Sequence, residues 1–217
     1  MVCHIVKTEN EWLELRKQFI TASEASVLVG ADPYSSPAKI RNPTEFHGNA
    51  FTFVGQMLEP VVVNVTNKVL GTSFELYENA EGHKEFYTEG LLGATPDAHE
   101  DRRILLECKT TRPHTYLKYS AVPPSKYIIQ LLVQLLCTGM DEGYLAIMST
   151  DLTQASAELK WPITIFKVLK DERICSILKE QAQRFTDACL EDKAFRVDSK
   201  IKQKIRLLLT LCYERIF

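Results

Sequence analysis

Leu91–Thr111, LLGATPDAHEDRRILLECKTT, is the stretch on which the fold of this chain turns. Asp97 follows Thr95-Pro96, and ten residues later comes Glu107-Cys108-Lys109. Between them lies a polar turn, Glu100-Asp101-Arg102-Arg103, so the stretch predicts a β-hairpin. Side chains alternate between the faces of a strand. Glu107 and Lys109 therefore share one face, and Cys108 takes the other. Pairing of the two strands brings Asp97 beside Glu107. Two carboxylates at close range repel unless a cation joins them. A hard, oxygen-seeking divalent ion such as Mg²⁺ meets that need. The lysine can then position or deprotonate a water, or steady charge on a phosphate. An exposed strand face with ordinary charges is the other reading of the same residues.

The rest of the chain sets the frame. Its 217 residues suffice for one sizeable core and are short for two domains. The expected division is a main domain over residues 1–195 and a helical tail over 196–217. The tail, KIKQKIRLLLTLCYERIF, is basic first and apolar later. It reads as an amphipathic helix that docks on the core or on a neighbouring subunit. Net charge is −2, so any nucleic-acid binding must come from local basic clusters. No run is long and apolar enough for a bilayer, and MVCHIVKTENEW lacks the layout of a secretory leader. The expected location is the cytosol. Cys3, Cys108, Cys137, Cys175, Cys189 and Cys212 are scattered and read as reduced and mostly structural. An iron–sulfur site from Cys3 and the three late cysteines would need spacings wider than compact clusters use.

Upstream, Trp12, Leu15 and Phe19 recur at helical spacing with Arg16 beside them. Thr21 or Ser23 is placed to cap a second helix over Ala25–Val29, which Gly30 stops. A helix N-terminus with hydroxyls and a nearby arginine suits a phosphate. A capped helix with a solvated arginine is the plain alternative. Residues 31–50 read as a loop. Ala50–Leu70 reads as a helix that carries Glu59 and is disturbed at Pro60. Phe74–Tyr77 and Phe86–Leu91 read as strands leading into the hairpin. Pro113, Pro123 and Pro124 mark a connection to a buried helix, KYIIQLLVQLLC, on which Gln130 and Gln134 lie one turn apart. These glutamines bond within the core or face a polar site. Glu142–Ser149 and Trp161–Leu169 read as strands joined by a polar loop with Thr153, Gln154 and Ser156. Asp171–Cys189 reads as an amphipathic helix and 191–200 as a charged linker.

In this order the motifs resemble the PD-(D/E)xK nuclease superfamily, and within it the lambda-exonuclease or YqaJ-like viral recombinases. The carriers are Trp12-Leu13-Glu14-Leu15-Arg16, Ile20-Thr21-Ala22-Ser23-Glu24, Gly55-x-x-x-Glu59, Thr95-Pro96-Asp97, Glu107-Cys108-Lys109 and Gln130. No single motif is specific; the ordered set, spanning roughly residues 10 to 135, is. Ala98 stands where a glycine is common, and the tail has no counterpart.

The resemblance implies an α/β fold of mixed α+β type, with a restriction-endonuclease-like central mixed sheet flanked by helices. It implies a 5′→3′ exonuclease on double-stranded DNA that releases 5′-mononucleotides and leaves 3′ overhangs. Asp97, Glu107, the Cys108 backbone carbonyl and Glu59, the last directly or through water, would hold one or two Mg²⁺ ions, with Mn²⁺ as substitute. Lys109 would orient the attacking water, and Gln130 would order the site. Arg16, Ser23 and Thr21 would hold the terminal 5′-phosphate. A homotrimeric ring and a single-strand annealing protein are the implied partners. The ring's basic lining would draw on Lys118, Lys126, Arg102, Arg103, Arg112 and the tail lysines. A site- or structure-specific endonuclease with the same core, and a catalytically idle DNA-binding or anti-defence protein, are the alternatives. Nucleases of CRISPR spacer acquisition share the core but carry a cysteine cluster.

Overall fold

The structure is a computed structural model and describes residues 1–32, 35–41, 50–77, 84–151 and 161–217. The polar loop with Thr153, Gln154 and Ser156, and half of the loop expected between 31 and 50, lie outside the described residues.

Strands β6 (Ala98–Glu100) and β7 (Ile104–Thr111) form the expected hairpin, with Ala98 opposite Leu106. β7 pairs in parallel with β8 (Glu142–Ser149), and β8 pairs antiparallel with β9 (Ile163–Leu169). Two short strands, β3 (Glu75–Leu76) and β10 (Tyr213–Arg215), finish a mixed six-stranded sheet in the order β10-β9-β8-β7-β6-β3.

A second mixed sheet has the order β1-β4-β5-β2, with β1 (Val2–Val6), β4 (Lys84–Glu89), β5 (Leu92–Ala94) and β2 (Ile20–Thr21). The sequence pattern predicts an 86–91 strand leading into the hairpin. Instead Gly90, at φ +58°, turns the chain between β4 and β5, and both strands join the smaller sheet. The hairpin begins only after Thr95-Pro96.

Helices α1 (Glu9–Arg16), α2 (Pro37–Arg41), α3 (Ala50–Leu70), α4 (Pro113–Ala121), α5 (Ser125–Thr138), α6 (Glu172–Leu190) and α7 (Ser199–Leu209) complete the described elements. Thr8 caps α1 through its hydroxyl, which accepts the Glu11 N–H. Asp171 caps α6 on the N–H groups of Arg173 and Ile174. Two helices correct the sequence reading. Pro113 starts α4 at its first turn, where a missing N–H costs nothing, so the expected connection is itself helical. The segment Ala25–Val29 is a buried 3-10 turn with no side-chain cap, so neither Thr21 nor Ser23 caps it. Gly30, at φ +66°, ends it as expected. α3 runs through Pro60 without ending, although Pro60 offers no N–H to the carbonyl of Gln56.

The six-stranded sheet is covered on both faces, which is what a parallel β7–β8 pair joined by a helical crossover requires. Leu105, Leu145, Ile147 and Phe166 point into a core with α5, α6 and α7. Leu106, Ala146, Met148 and Ile165 point the other way, onto Val62 and Val65 of α3. The alternation of β7 thus continues with Glu107 on the α5 side and Cys108 on the α3 side. Among the described residues no helix is long and apolar enough to cross a membrane.

The tail is built into this core. Ile205, Leu208 and Leu209 of α7 are buried in the larger cluster, and β10 pairs antiparallel with β9. The stretch before α7 also packs inward: the Phe195 ring meets Phe185 edge-on at 5.5 Å. Leu209→Ala should therefore destabilise the protein by about 2–5 kcal/mol in chemical denaturation. A change within about 0.5 kcal/mol would mean that α7 is only loosely laid on the surface.

Candidate active site

Glu107 has no solvent exposure. Its strand position aims it at α5, a helix whose other inward residues are apolar: Ile128, Leu131, Leu132 and Leu135. A buried carboxylate is costly unless every lone pair finds a donor. The two glutamines supply them. Gln130 Nε2 donates to Glu107 Oε1 at 2.6 Å and Gln134 Nε2 to Oε2 at 2.5 Å. The Lys109 ammonium, from the same strand face, pairs with Oε1. Both sequence readings for these glutamines are met: they bond a carboxylate inside the core and also border a polar cleft. Gln134 is not among the site residues read from the sequence, although its one-turn spacing from Gln130 is the available signal.

Asp97 stands across from Glu107, anchored by the Cys108 N–H, which donates to Asp97 Oδ2 at 2.8 Å. Burial, then the charge of Glu107, push its carboxyl well above the ordinary range; Lys109 opposes this and Glu59 adds to it. Burial works against the Lys109 charge as well, but Glu107 and Asp97 outweigh it and hold the ammonium above the usual lysine range. Lys109 keeps its proton in this arrangement and serves as a cation. The Tyr127 ring, one turn before Gln130, lies 5.3 Å from that ammonium.

A cleft of about 270 Å³ opens in front of these groups. Arg16, Thr21 and Ser23 line it together with Glu59, Asp97 and Gln130. A neighbouring hollow of about 220 Å³ is lined by Glu59, Asp97, Cys108 and Lys109. Glu59 and Asp97 stand between the two. Every residue read from the sequence as a site candidate therefore borders this region, Glu107 from behind.

The upstream residues are held by a short chain of contacts. The indole N–H of Trp12 donates to Thr95 Oγ1 at 2.9 Å, and the Arg16 guanidinium lies over the Trp12 ring at 4.2 Å. Burial lowers the Arg16 pKa and the charge of Glu24 acts against that. Glu24 reaches back to Thr21, accepting its N–H at 3.0 Å and its hydroxyl at 2.6 Å. The Ser23 hydroxyl is 3.1 Å from Thr21 Oγ1 and exposed to the cleft. The hydroxyls are thus ordered by Glu24 and not by a helix end, and the 3-10 turn presents no N-terminus to a ligand.

Among the described residues no three His, Cys, Asp or Glu side chains are arranged to hold a metal. Lys109 serves as counter-ion to Glu107 in this structure. The donor chemistry nevertheless fits a hard divalent cation. Burial raises the Asp97 carboxyl most, and two neighbouring acids, Glu107 and Glu59, add to it against one lysine. Oxygen donors in like-charge excess at the edge of a cleft are what such an ion binds. All six cysteines are free. Burial pushes the thiols of Cys175 and Cys212 up to about 12, so both are neutral groups in the core.

The sequence profile of the YqaJ-like viral recombinase domain matches residues 11–141, more than half of the chain. The chain belongs to the YqaJ-like viral recombinase family. The matched segment of this YqaJ-like protein runs from α1 past the end of α5, so it contains every site residue above. No curated protein matches it in sequence. Among solved structures it is similar to the alkaline exonuclease LHK-Exo from Laribacter hongkongensis, with a TM-score of 0.66 and 18% identity over 94% of this chain and 100% of that one. The same exonuclease in complex with dAMP gives 0.62 and 19%, with the same coverage. A phage-related exonuclease from Haemophilus somnus 129PT gives 0.58 and 15%, covering 82% of this chain and 98% of that one. At these identities the likeness is one of fold.

The raised Asp97 carboxyl has a consequence for stability. A group with its folded pKa raised favours the protonated fold, so stability is lost as pH climbs from the ordinary carboxylate range through the raised value. Asp97→Asn removes that loss. In chelator at neutral pH, Asp97→Asn should be more stable than the parent, and the gap should close toward pH 4. Denaturation curves across pH measure both, and a variant less stable at neutral pH would show Asp97 to be net favourable.

Proposed function

We propose that this YqaJ-like protein is a metal-dependent 5′→3′ exonuclease of the PD-(D/E)xK type that degrades one strand of linear double-stranded DNA. The observation that carries the reading is the shared cleft, which two sets of side chains border: Arg16 with the hydroxyls of Thr21 and Ser23, and Glu59 with Asp97, which also border the adjoining hollow of Lys109. The first suits a terminal phosphate and the second suits phosphodiester cleavage. Family membership and a fold shared with exonucleases support it. That one of those exonucleases was solved with a mononucleotide, dAMP, supports a product of one nucleotide.

Arg16 anchors the 5′-phosphate as a charge-assisted hydrogen-bond donor, its position set by Trp12. The Ser23 hydroxyl adds a second donor, with Thr21 behind it. Asp97, Glu107, the Cys108 carbonyl and Glu59 are the groups that would hold one or two divalent ions, Mg²⁺ or Mn²⁺. Such an ion supplies Lewis-acid stabilisation of phosphate charge and a more acidic water. Gln130 and Gln134 fix the Glu107 carboxylate in one rotamer. Lys109, protonated, steadies negative charge as it builds on the phosphate and orients the attacking water. Each cut frees a 5′-mononucleotide and leaves a new 5′-phosphate for the same pocket, so a 3′ overhang grows. A homotrimeric ring lined by Lys118, Lys126, Arg103, Arg112 and the α7 lysines, a single-strand annealing partner and a cytosolic setting complete the reading.

Linear duplex labelled at each end tests it. With Mg²⁺ the 5′ label should be released first, as mononucleotide; with chelator nothing should be released. Digestion of covalently closed circles would instead establish the endonuclease. Lys109→Ala should lower turnover by roughly a hundred- to a thousandfold while DNA binding persists. Arg16→Ala should reduce the preference for phosphorylated over hydroxyl 5′ ends by about tenfold or more. Equal rates on both ends in the parent would refute the phosphate pocket.

A further inference from the structure

With a net charge of −2, any grip on nucleic acid must come from a local basic cluster. Several of the cations are already spent. Arg102, which the sequence reading offers to DNA, is tied to Glu85 by two bonds of 2.9 Å. Lys167, Lys170, Lys179 and Lys193 pair with acids as well. The cations of α7 do not. Lys200, Lys202, Lys204 and Arg206 are all exposed, and among the described residues none of their side chains has an ion pair or a hydrogen bond.

The helix carries these charges at a cost. It holds no acid from Ser199 to Leu209, and the acid just before it, Asp198, is engaged as the cap and accepts the Lys200 N–H at 2.7 Å. Lys200 and Lys204 stand one turn apart, as do Lys202 and Arg206, and like charges at that spacing repel. Lys200 and Lys202 also lie in the first turn, where the helix dipole favours acids. Ile205, Leu208 and Leu209 face the core. By helical spacing the two cation pairs therefore flank an outer crest that shows Gln203 and Leu207.

The position of α7 is fixed against elements that build the site. It packs on the 3-10 turn Ala25–Val29, which begins two residues after Ser23, and on α5, which carries Gln130. The stem of Lys202 lies on Gly30 at the end of that turn: a Cβ on Gly30 would come within 2.7 Å of Lys202 Cε. The turn itself also packs on α5. At the start of α5 the Lys126 ammonium lies 5.4 Å from the Tyr127 ring, and the Lys109 ammonium lies 5.3 Å from the same ring. Cations thus stand on successive packed elements, Lys109 on β7, Lys126 on α5 and the four on α7.

We infer that α7 is a docking ridge for the phosphate backbone of DNA: Lys200, Lys202, Lys204 and Arg206 hold the substrate outside the cleft, without a divalent ion. The inference rests on the exonuclease reading above for the identity of the polyanion. The ridge is built by one chain, whether or not a ring forms around it. A duplex carries one phosphate charge for about every 1.7 Å of its axis, so it supplies the charge that α7 lacks and relieves the repulsion along it. Four cations over about 9 Å of helix are of the same density. A second copy laid crest to crest would set cations against cations. An anionic lipid surface calls for a broad apolar face, and within α7 the exposed leucine is Leu207.

Binding without cutting tests the ridge. A short fluorescent duplex is titrated in chelator over a series of salt concentrations. The proteins are the parent, Lys200→Gln with Lys204→Gln, Lys202→Gln with Arg206→Gln, the quadruple variant, and a control, Lys7→Gln with Lys68→Gln, which removes two exposed charges elsewhere. Thermal unfolding and sedimentation of the DNA-free proteins are recorded beside it. Each α7 pair should weaken binding by about tenfold near 0.1 M salt and lower the slope of log affinity against log salt by about two, since each phosphate contact adds about 0.9. The quadruple variant should lower the slope by about four, and the control should keep the parental slope. If a double variant does not fold, Lys204→Gln alone should lower the slope by about one. Parental slopes in all α7 variants, or a parent that binds duplex only with Mg²⁺, would overturn the ridge; release of terminal nucleotides by the parent would still leave the exonuclease standing. A quadruple variant that keeps the parental slope but changes oligomeric state, or loses binding to phosphatidylserine vesicles, would give the crest to another occupant and overturn the ridge as well. A parent that neither binds duplex in chelator nor cuts it with Mg²⁺ would overturn the exonuclease, and the ridge with it.

Discussion

A carboxylate with no access to water is the constraint around which this protein is arranged. Glu107 sits on a strand whose neighbours along that face are core leucines and isoleucines. It must find its donors from a helix that is otherwise apolar. Gln130 and Gln134 are that provision, and they serve only if α5 lies at one height and one rotation against β7. The crossover through α4 and α5 delivers the helix there, and α6 and α7 hold it down. The polar core and the fold are therefore mutually dependent. A buried ionised network is a modest source of net stability but a strong selector of one arrangement over others.

The acids in front of Glu107 pull the other way. Asp97 is raised by burial and by like charges, so the folded protein holds unfavourable electrostatics at the cleft. Lys109 relieves part of it. Strain of this kind is tolerated where chemistry needs it, and its location coincides with the cleft. The remainder of the chain is conventional by comparison: two hydrophobic clusters, one on each face of a sheet, with capped helices around them.

Much of this is legible in the sequence because it rests on short-range rules. Alternation alone puts Glu107 and Lys109 on one face, and the hairpin turn puts Asp97 opposite. One-turn spacing puts Gln130 and Gln134 together. Gly30 and Gly139 end their segments in left-handed backbone, as a glycine after an apolar run suggests. The features that escape a sequence reading depend on long-range choices. Lys84–Glu89 has the pattern of a strand in either sheet, and only pairing with β1 decides which. Pro113 opens a helix or interrupts one according to the residues on its C-terminal side. Tyr213–Arg215 is too short to announce a strand, and becomes one because β9 offers an edge. The Arg102–Glu85 contact spans residues that no local rule connects, and the hydroxyl of Thr21 is ordered by Glu24 and not by a helix end.

The edges of the larger sheet bear on how the protein behaves in concentrated solution. Its long strands, β7, β8 and β9, have eight, eight and seven residues and are all internal. The strands at its margins have two and three. A sheet that ends in strands this short shows few unpaired amides to another chain, and strand addition between molecules has little to template on. The tail strand thereby acts as a guard against aggregation, in a protein whose most apolar segments would otherwise reach the margin of the sheet.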